Sequence, residues 1–354
     1  GTLRERFDAD RLSSRRVELS AVDDMESLYD RGWTDGLPVV PPTPARVLAM
    51  LEGTTRDPDD LVAIVPPDLV EATVEKVAVN AVMAGCKPEY LPVVLAALEA
   101  ACTDEFNMHG LLCTTMAVGP VMWVNGPITN AIGMNHGVNV LGHGNRANST
   151  IGRAMQLVIR NVGGGAPGGI DRATQGNPGK LGLCFAEDEA DSPWESYAES
   201  RGFAADANTV TLFPGEGPRI VVDQLTRSAD GLAASIGEAL LASNHPRMVL
   251  GMEAVLVLSP EHAARFADAG WSKAQTIDAI IAATVRRSDD IIRGVGGIGE
   301  GLPEGFEGVD IAKLQPDGLH LVHAGGKAGL FSAIIAGWLA GDMGSHTVTR
   351  EIKP

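Results

Sequence analysis

Apolar residues at Val70, Val74, Val77, Ala81 and Val82 follow the spacing of one helix face, which predicts a helix over 68–84 with Gly85 placed to close it. Thr43 followed by Pro44 marks another helix start, running to about Leu51, and Pro88 opens an apolar helix to about Ala101. Short strand-like runs predict strands at 111–118, 121–124 and 181–185, and a hairpin of 209–213 with 219–222 around Pro214-Gly215-Glu216-Gly217. A Gly- and Asn-rich loop, 125–148, leads into a helix at about 149–161, and a second Gly-rich loop runs from Gly163 to Lys180. From residue 229 the alternation is more regular. It predicts helix 229–242, buried strand 254–258, helices begun by Ser259-Pro260 and by Ser272 (the latter to Arg287), strand 319–322, helix 328–339 and an edge strand at 347–351.

This order of elements predicts an α/β fold with mixed or parallel sheets, helices on both faces and Gly-rich loops at the strand ends. The length of 354 residues accommodates an N-terminal region, 1–205, and a C-terminal region, 206–354, or one large domain. Residues 1–35 are polar and read as an arm or surface helix; within them, Gly1 to Arg16 carries charges throughout and lacks the apolar stretch of a signal peptide. The weakly polar run 328–341 is too short to span a bilayer, and as a helix its apolar face would suit a homo-oligomer interface. A cytoplasmic protein that does not enter membranes is the expectation.

Charge narrows the partners. The formal net charge of -17 sets the surface against a phosphate backbone, so nucleic acid is not the expected partner, and an anionic small molecule would need a local cluster of donors. Four cysteines, without CxxC spacing, point to a reducing compartment rather than a disulfide framework.

The loop Gly142-His143-Gly144-Asn145-Arg146-Ala147-Asn148-Ser149-Thr150, with Arg153 one turn into the helix, is the first candidate for substrate binding. Free N–H groups at a helix start, backed by Arg146 and Arg153, suit an anion; the alternative is a structural turn capped by Asn148 or Ser149. The loop also fits a G-x-G-x-x-A variant of the dinucleotide fingerprint, and Gly294 to Gly299 matches it formally, but neither follows a good strand. No cofactor follows from these motifs. A second candidate is the turn Gly325-Gly326-Lys327, where Lys327 and Ser332 could meet an oxyanion; close helix–strand packing through glycine is the alternative. Cys86, beside Lys87 between two helices, is the candidate nucleophile. His136, His143 and Glu187 are candidates for proton transfer, with Asp188, Glu189 and Asp171 behind them. His109, His136 and His143 are conceivable metal ligands without a compact ligand spacing.

Several stretches resemble a largely uncharacterised bacterial family found alongside UGSC-type (seleno)proteins, which are similar to glycine-reductase components. They are Asp35-Gly36-Leu37-Pro38-Val39-Val40-Pro41-Pro42-Thr43, Asn80-Ala81-Val82-Met83-Ala84-Gly85-Cys86-Lys87-Pro88-Glu89-Tyr90, Val124-Asn125-Gly126-Pro127, Arg146-Ala147-Asn148, Cys184-Phe185-Ala186-Glu187, Ser192-Pro193-Trp194 and Val348-Thr349-Arg350. The resemblance spans most of the chain. It implies an enzyme with thiol or selenol chemistry and a UGSC-type partner, but no substrate; His143 departs from the family, which carries proline near that position. The first functional expectation is therefore an enzyme that cleaves or forms a carbon–heteroatom bond in a small polar or anionic substrate, of lyase, hydratase or hydrolase type. An oxidoreductase subunit working with a thiol, selenol or nicotinamide, and a non-catalytic binding protein, are the alternatives.

Overall fold

In the computed structural model, which describes residues 12–14, 17, 24–245, 252–291, 308–342 and 344–354, strand β3 (Gly119–Asn125) is buried at every position. Its side chains divide between two cores. Met122 and Val124 point into one made with helices, whereas Val121 and Trp123 point into another made with strands. Because successive strand side chains face opposite ways, this division requires apolar layers on both faces of the sheet.

The outer layer beside β3 comes from α2 (Pro44–Leu51), α3 (Val74–Ala84), α4 (Leu91–Ala101), α5 (Met108–Cys113) and α7 (Arg146–Asn161). These helices follow α1 (Asp24–Asp30) and flank a small antiparallel pair, β1 (Leu61–Val65) and β2 (Val70–Thr73). Helix α3 starts at Val74 on a Thr73 cap and stops at Gly85, whose φ of 90° is the left-handed turn that the sequence placed there. Short helix α6 (Ile128–Ala131) follows β3, and β4 (Cys184–Ala186), α8 (Tyr197–Ser200), β5 (Thr209–Gly215) and β6 (Arg219–Val222) complete this part of the chain.

The other outer layer is α9 (Ala229–Leu241), α10 (Pro260–Asp268) and α11 (Lys273–Ala282), packed on β7 (Met252–Leu258), β10 (Leu314–His323) and β11 (Phe331–Leu339) through Leu256, Leu258, Leu321 and Ile334. A minor pair, β8 (Arg286–Arg287) with β9 (Asp310–Ile311), lies apart from the main sheet, and β12 (Val348–Glu351) ends the fold. The main sheet has eight strands in the order β10-β7-β11-β5-β3-β4, with β12 beside β5 and β6 beside β11. Pairs β7–β10 and β3–β4 are parallel; the other contacts are antiparallel.

Strands β11 and β5 meet at a single residue pair, Gly337 with Gly215. A Cβ at Gly337 would lie 2.9 Å from Phe213 and 3.0 Å from the Glu253 carbonyl, and one at Gly215 would lie 2.8 Å from Ile335. Glycine at both positions lets the sheet fold back on itself. Val121, Trp123, Phe185 and Phe213 from one half then pack against Val255, Val257, Val322 and Ile335 from the other. The result is four layers, helix–sheet–sheet–helix: a mixed α/β fold with helices on both outer faces. Strands from both sides of residue 206 share this sheet, since β5 and β12 pair on the β3 side.

Several elements differ from the sequence reading: Val70–Thr73 is a strand where a helix was expected from Asp68, and the helix begun by Ser272 ends at Ala282, short of Arg287, which lies in β8. Residues 328–339 form β11, not a helix, because Ile334-Ile335 lie in a strand paired on both edges, and a short apolar run does not by itself separate strand from helix. β11 is therefore interior, and offers no apolar helix to an oligomer. Residues 209–213 and 219–222 are strands but not a hairpin: β5 joins β3 while β6 joins β11. Residues 108–113 are helical, where a strand was expected from Leu111. Helix α7 begins at Arg146, three residues early, on an Asn145 cap. Gly294 to Gly299, and most of the N-terminal arm, lie outside the described residues. Among the described residues no helix is long and apolar enough to cross a membrane.

Candidate functional site

The parallel pair β7–β10 ends at one edge of the fold, and the chain leaving each strand turns into the next element there. A crevice of about 580 Å³ opens at this edge, lined by Val138 to Gly142, Ser259, Ala324 to Ala328, Phe331 and Ser332. This is where α/β sheets bind ligands, beyond the carboxyl ends of their strands. The two loops that form its walls are joined by the Gly325 amide, which donates to the His136 carbonyl at 2.9 Å.

Behind the wall at Ser332 lies a chain of three buried groups. Ser259 stands at the N-cap of α10 but its hydroxyl makes no cap bond, and Pro260 fills the first helical position. Two residues on, His262 points back at β11, where its Nδ1 lies 2.8 Å from Ser332 Oγ; its Nε2 lies 3.2 Å from the Asp223 carbonyl oxygen. Burial holds the imidazole below its usual pKa, outweighing the opposite pull of Asp223 and Glu261. The neutral ring must then carry its proton on Nε2, because a carbonyl oxygen only accepts. Nδ1 is left as acceptor, so the Ser332 hydroxyl donates to it. The Ser259 amide donates to Ser332 Oγ at 3.4 Å. Across the crevice, the amides of Gly326, Lys327 and Ala328 have no partner among the described residues.

The rim of the crevice is acidic and basic at once. Lys327 pairs with Asp191, which it holds below the usual carboxylate range, and is itself raised by that contact. Beside them, His136 Nδ1 lies 3.3 Å from Asp188 Oδ1; Asp188 is 3% exposed and the His136 side chain 34%. His323, at the end of β10, bonds through Nδ1 to the Asp188 carbonyl at 2.9 Å, and its Nε2 is buried without a partner among the described residues. Thus Gly142, His136, Gly325, Gly326 and Lys327, chosen separately from the sequence, come together in or beside one crevice.

The rest of the predicted set is used for structure. Arg153 forms a two-pronged bond to Asp35, both contacts 2.8 Å, and adds a bond to the Pro38 carbonyl at 2.9 Å. Arg146 Nε donates to the Gly85 carbonyl at 2.9 Å, tying α7 to the end of α3. Asn145 accepts the Asn148 amide at 3.0 Å, and Asn148 clamps both backbone groups of Asn135. Thr150 bonds back to the Arg146 carbonyl, while Gly144, Ser149 and His143 are exposed. The start of α7 is therefore capped by its own side chains, with Arg153 tied to Asp35 and Arg146, though exposed, bonded to the Gly85 carbonyl.

Cys86 is buried, donates to the Thr150 carbonyl at 3.3 Å and is pushed up to about 12 by burial, against smaller opposing effects of Thr150, Arg146 and Arg153. The adjacent Lys87 does not offset this, so the thiolate expected from sequence is not favoured. We expect iodoacetamide at pH 8 to modify exposed Cys113 while Cys86 stays unmodified in the native protein, as peptide mass mapping would read. Glu187 is likewise interior. Its carboxylate accepts from Asn125 Nδ2 at 2.5 Å and the Tyr197 amide at 2.7 Å, lacing β3, β4 and α8 together. Burial raises its pKa, opposed by Lys273 and these bonds. His109 is exposed, and among the described residues no three His, Cys, Asp or Glu side chains are grouped to hold a metal ion.

Sequence reasoning did not find His262 or Asp223. Seventy residues separate His262 from Ser332. The usable signal was the Ser259-Pro260 helix start, which places His262 in the first turn.

The fold and crevice define the class: a four-layer α/β protein with a strand-end pocket. No protein-family profile, curated protein or solved structure matches the chain.

Proposed function

We propose that the chain is a hydrolase of small acyl compounds, esters or amides, with Ser332 as nucleophile and His262 as its base. The observation that carries this reading is the ordered series Ser332 Oγ–H to His262 Nδ1, then His262 Nε2–H to the Asp223 carbonyl, with Ser332 at the crevice wall and the other two groups buried behind it. A nucleophile bonded to a base, with the base oriented by a third group, is the arrangement that activates a hydroxyl. In the first step Ser332 Oγ bonds to the acyl carbon, its proton passes to His262 Nδ1, and that proton then leaves with the alcohol or amine. Water repeats the sequence to free the acid. The unpartnered amides of Gly326 to Ala328 suit the oxyanion that develops on the acyl oxygen. The apolar side chains of Val138, Val140, Leu141 and Phe331 favour a short apolar acyl group.

The test is labelling of the purified protein with a fluorophosphonate, followed by identification of the modified peptide. Modification at Ser332 supports the reading; a protein that stays unmodified, or is modified equally after Ser332→Ala, removes it.

A second reading rests on the other side of the crevice. His136, held against buried Asp188 with the rest of its ring facing outward, suits a general base for hydration or elimination. Loss of turnover in His136→Ala with turnover kept in Ser332→Ala would select it. A thiol or selenol partner of the kind the resemblance implies would have to bring its own reactive group, given the state of Cys86.

A further inference from the structure

A second cavity, of about 550 Å³, lies at the opposite end of β3 from Asn125, between α5, α7 and the glycine-rich loop 165–181. Its wall includes Arg160, which is half-buried, with Nε fully shielded from solvent. Arg160 makes no side-chain hydrogen bond or ion pair among the described residues. This is an unusual state for a guanidinium, because burying any part of a charge without a partner is costly. The other charges at the cavity are matched. Lys180 holds Asp171 at 2.8 Å, and Arg153 holds Asp35 at 2.8 Å. The lining itself holds Arg160 and Lys180 with Asp35 and Asp171; because Arg153, outside the lining, neutralises Asp35, Arg160 is left as one positive charge in excess in a protein whose formal charge is -17.

The remaining lining sets the rest of the ligand. Met108, Leu111, Leu112, Val118 and Pro120 present apolar surface, and Gln156 stands one turn from Arg160 on the same face of α7. We propose that this cavity binds a small monocarboxylate with an apolar body, its carboxylate on Arg160 and its hydrocarbon part against Leu111, Leu112 and Val118. A planar guanidinium matches a carboxylate in two parallel bonds. A single excess charge fits a monoanion better than a phosphate dianion. The site is separate from the crevice and does not depend on the hydrolase reading.

Titration calorimetry with benzoate, and with benzamide as the uncharged isostere, tests the assignment on the full chain. We expect benzoate to bind and benzamide to bind at least tenfold more weakly. Arg160→Gln should lower benzoate affinity at least tenfold, and Arg160→Lys should lower it less. Asp171→Asn, which removes the partner of Lys180, should raise affinity severalfold, and this opposite change guards against a variant that merely loosens the fold. No benzoate binding at millimolar concentration, or unchanged affinity in Arg160→Gln with circular dichroism confirming its fold, would overturn the proposal.

Discussion

Replacing Ser332 with alanine should abolish fluorophosphonate labelling and slow hydrolysis of a short-chain p-nitrophenyl ester by a factor on the order of 10³–10⁴, about 4–5.5 kcal/mol of transition-state stabilisation. We expect His262→Gln to cause a loss of similar size, because on the proposed mechanism the two side chains act as one unit and their effects do not add. The pH profile separates this from a passive hydroxyl. Turnover needs the neutral imidazole, and burial lowers the His262 pKa from its ordinary 6.5. The acid limb of kcat/KM should therefore fall below pH 6.5, with the rate flat above it. A midpoint at or above 6.5 would be incompatible with this ring acting as the base. The same shift affects stability: the unfolded chain takes up the proton first, so this contribution is full above about pH 6.5 and is lost as pH falls towards the folded pKa. His320 shifts the same way, by burial partly offset by Glu253.

The second large effect is structural. Gly152, inside α7, faces Gly182 in the chain leading to β4, and a Cβ on Gly152 would fall 2.3 Å from the Gly182 carbonyl oxygen. Gly182, at φ 129°, would in turn place a Cβ 2.3 Å from the Arg153 amide nitrogen. Helix propensity favours alanine over glycine by about 1 kcal/mol. The collision is with backbone at both positions, so neither side can rotate away, and overpacking of this kind costs about 3 kcal/mol or more. Gly152→Ala should therefore lower the urea midpoint with a net loss of about 2 kcal/mol or more. Equal or greater stability would show that α7 can move away from β4.

Much of this fold was readable because local signals and burial agree. Gly85 and Ser272 mark helix ends through bonds made within a few residues, and Thr43-Pro44 and Ser259-Pro260 through proline at the first helical position. β11 was misread because its apolar run is long enough for a helix, and only its neighbours β7 and β6 make it a strand. That error also hid the candidate nucleophile, since the direction of Ser332 depends on strand alternation. For charges, the sequence marks which side chains are cationic but not which are already satisfied. Arg146 and Arg153 looked available and are bound to Gly85 and Asp35, whereas Arg160, seven residues beyond Arg153 on the same helix, is the unpaired one.

The crevice draws Val138 to Gly142 from one half of the folded sheet and Ser259, Lys327 and Ser332 from the other. These stretches are far apart in the chain, and among the described residues the strand ladders of the two sheet halves meet at the Gly215–Gly337 pair. Helices and individual strands can form from neighbouring residues, but the pocket exists only once distant loops have closed and the halves have docked. Ligand occupancy of the crevice is accordingly a late acquisition on the way to the native state, and a good reporter that assembly is complete.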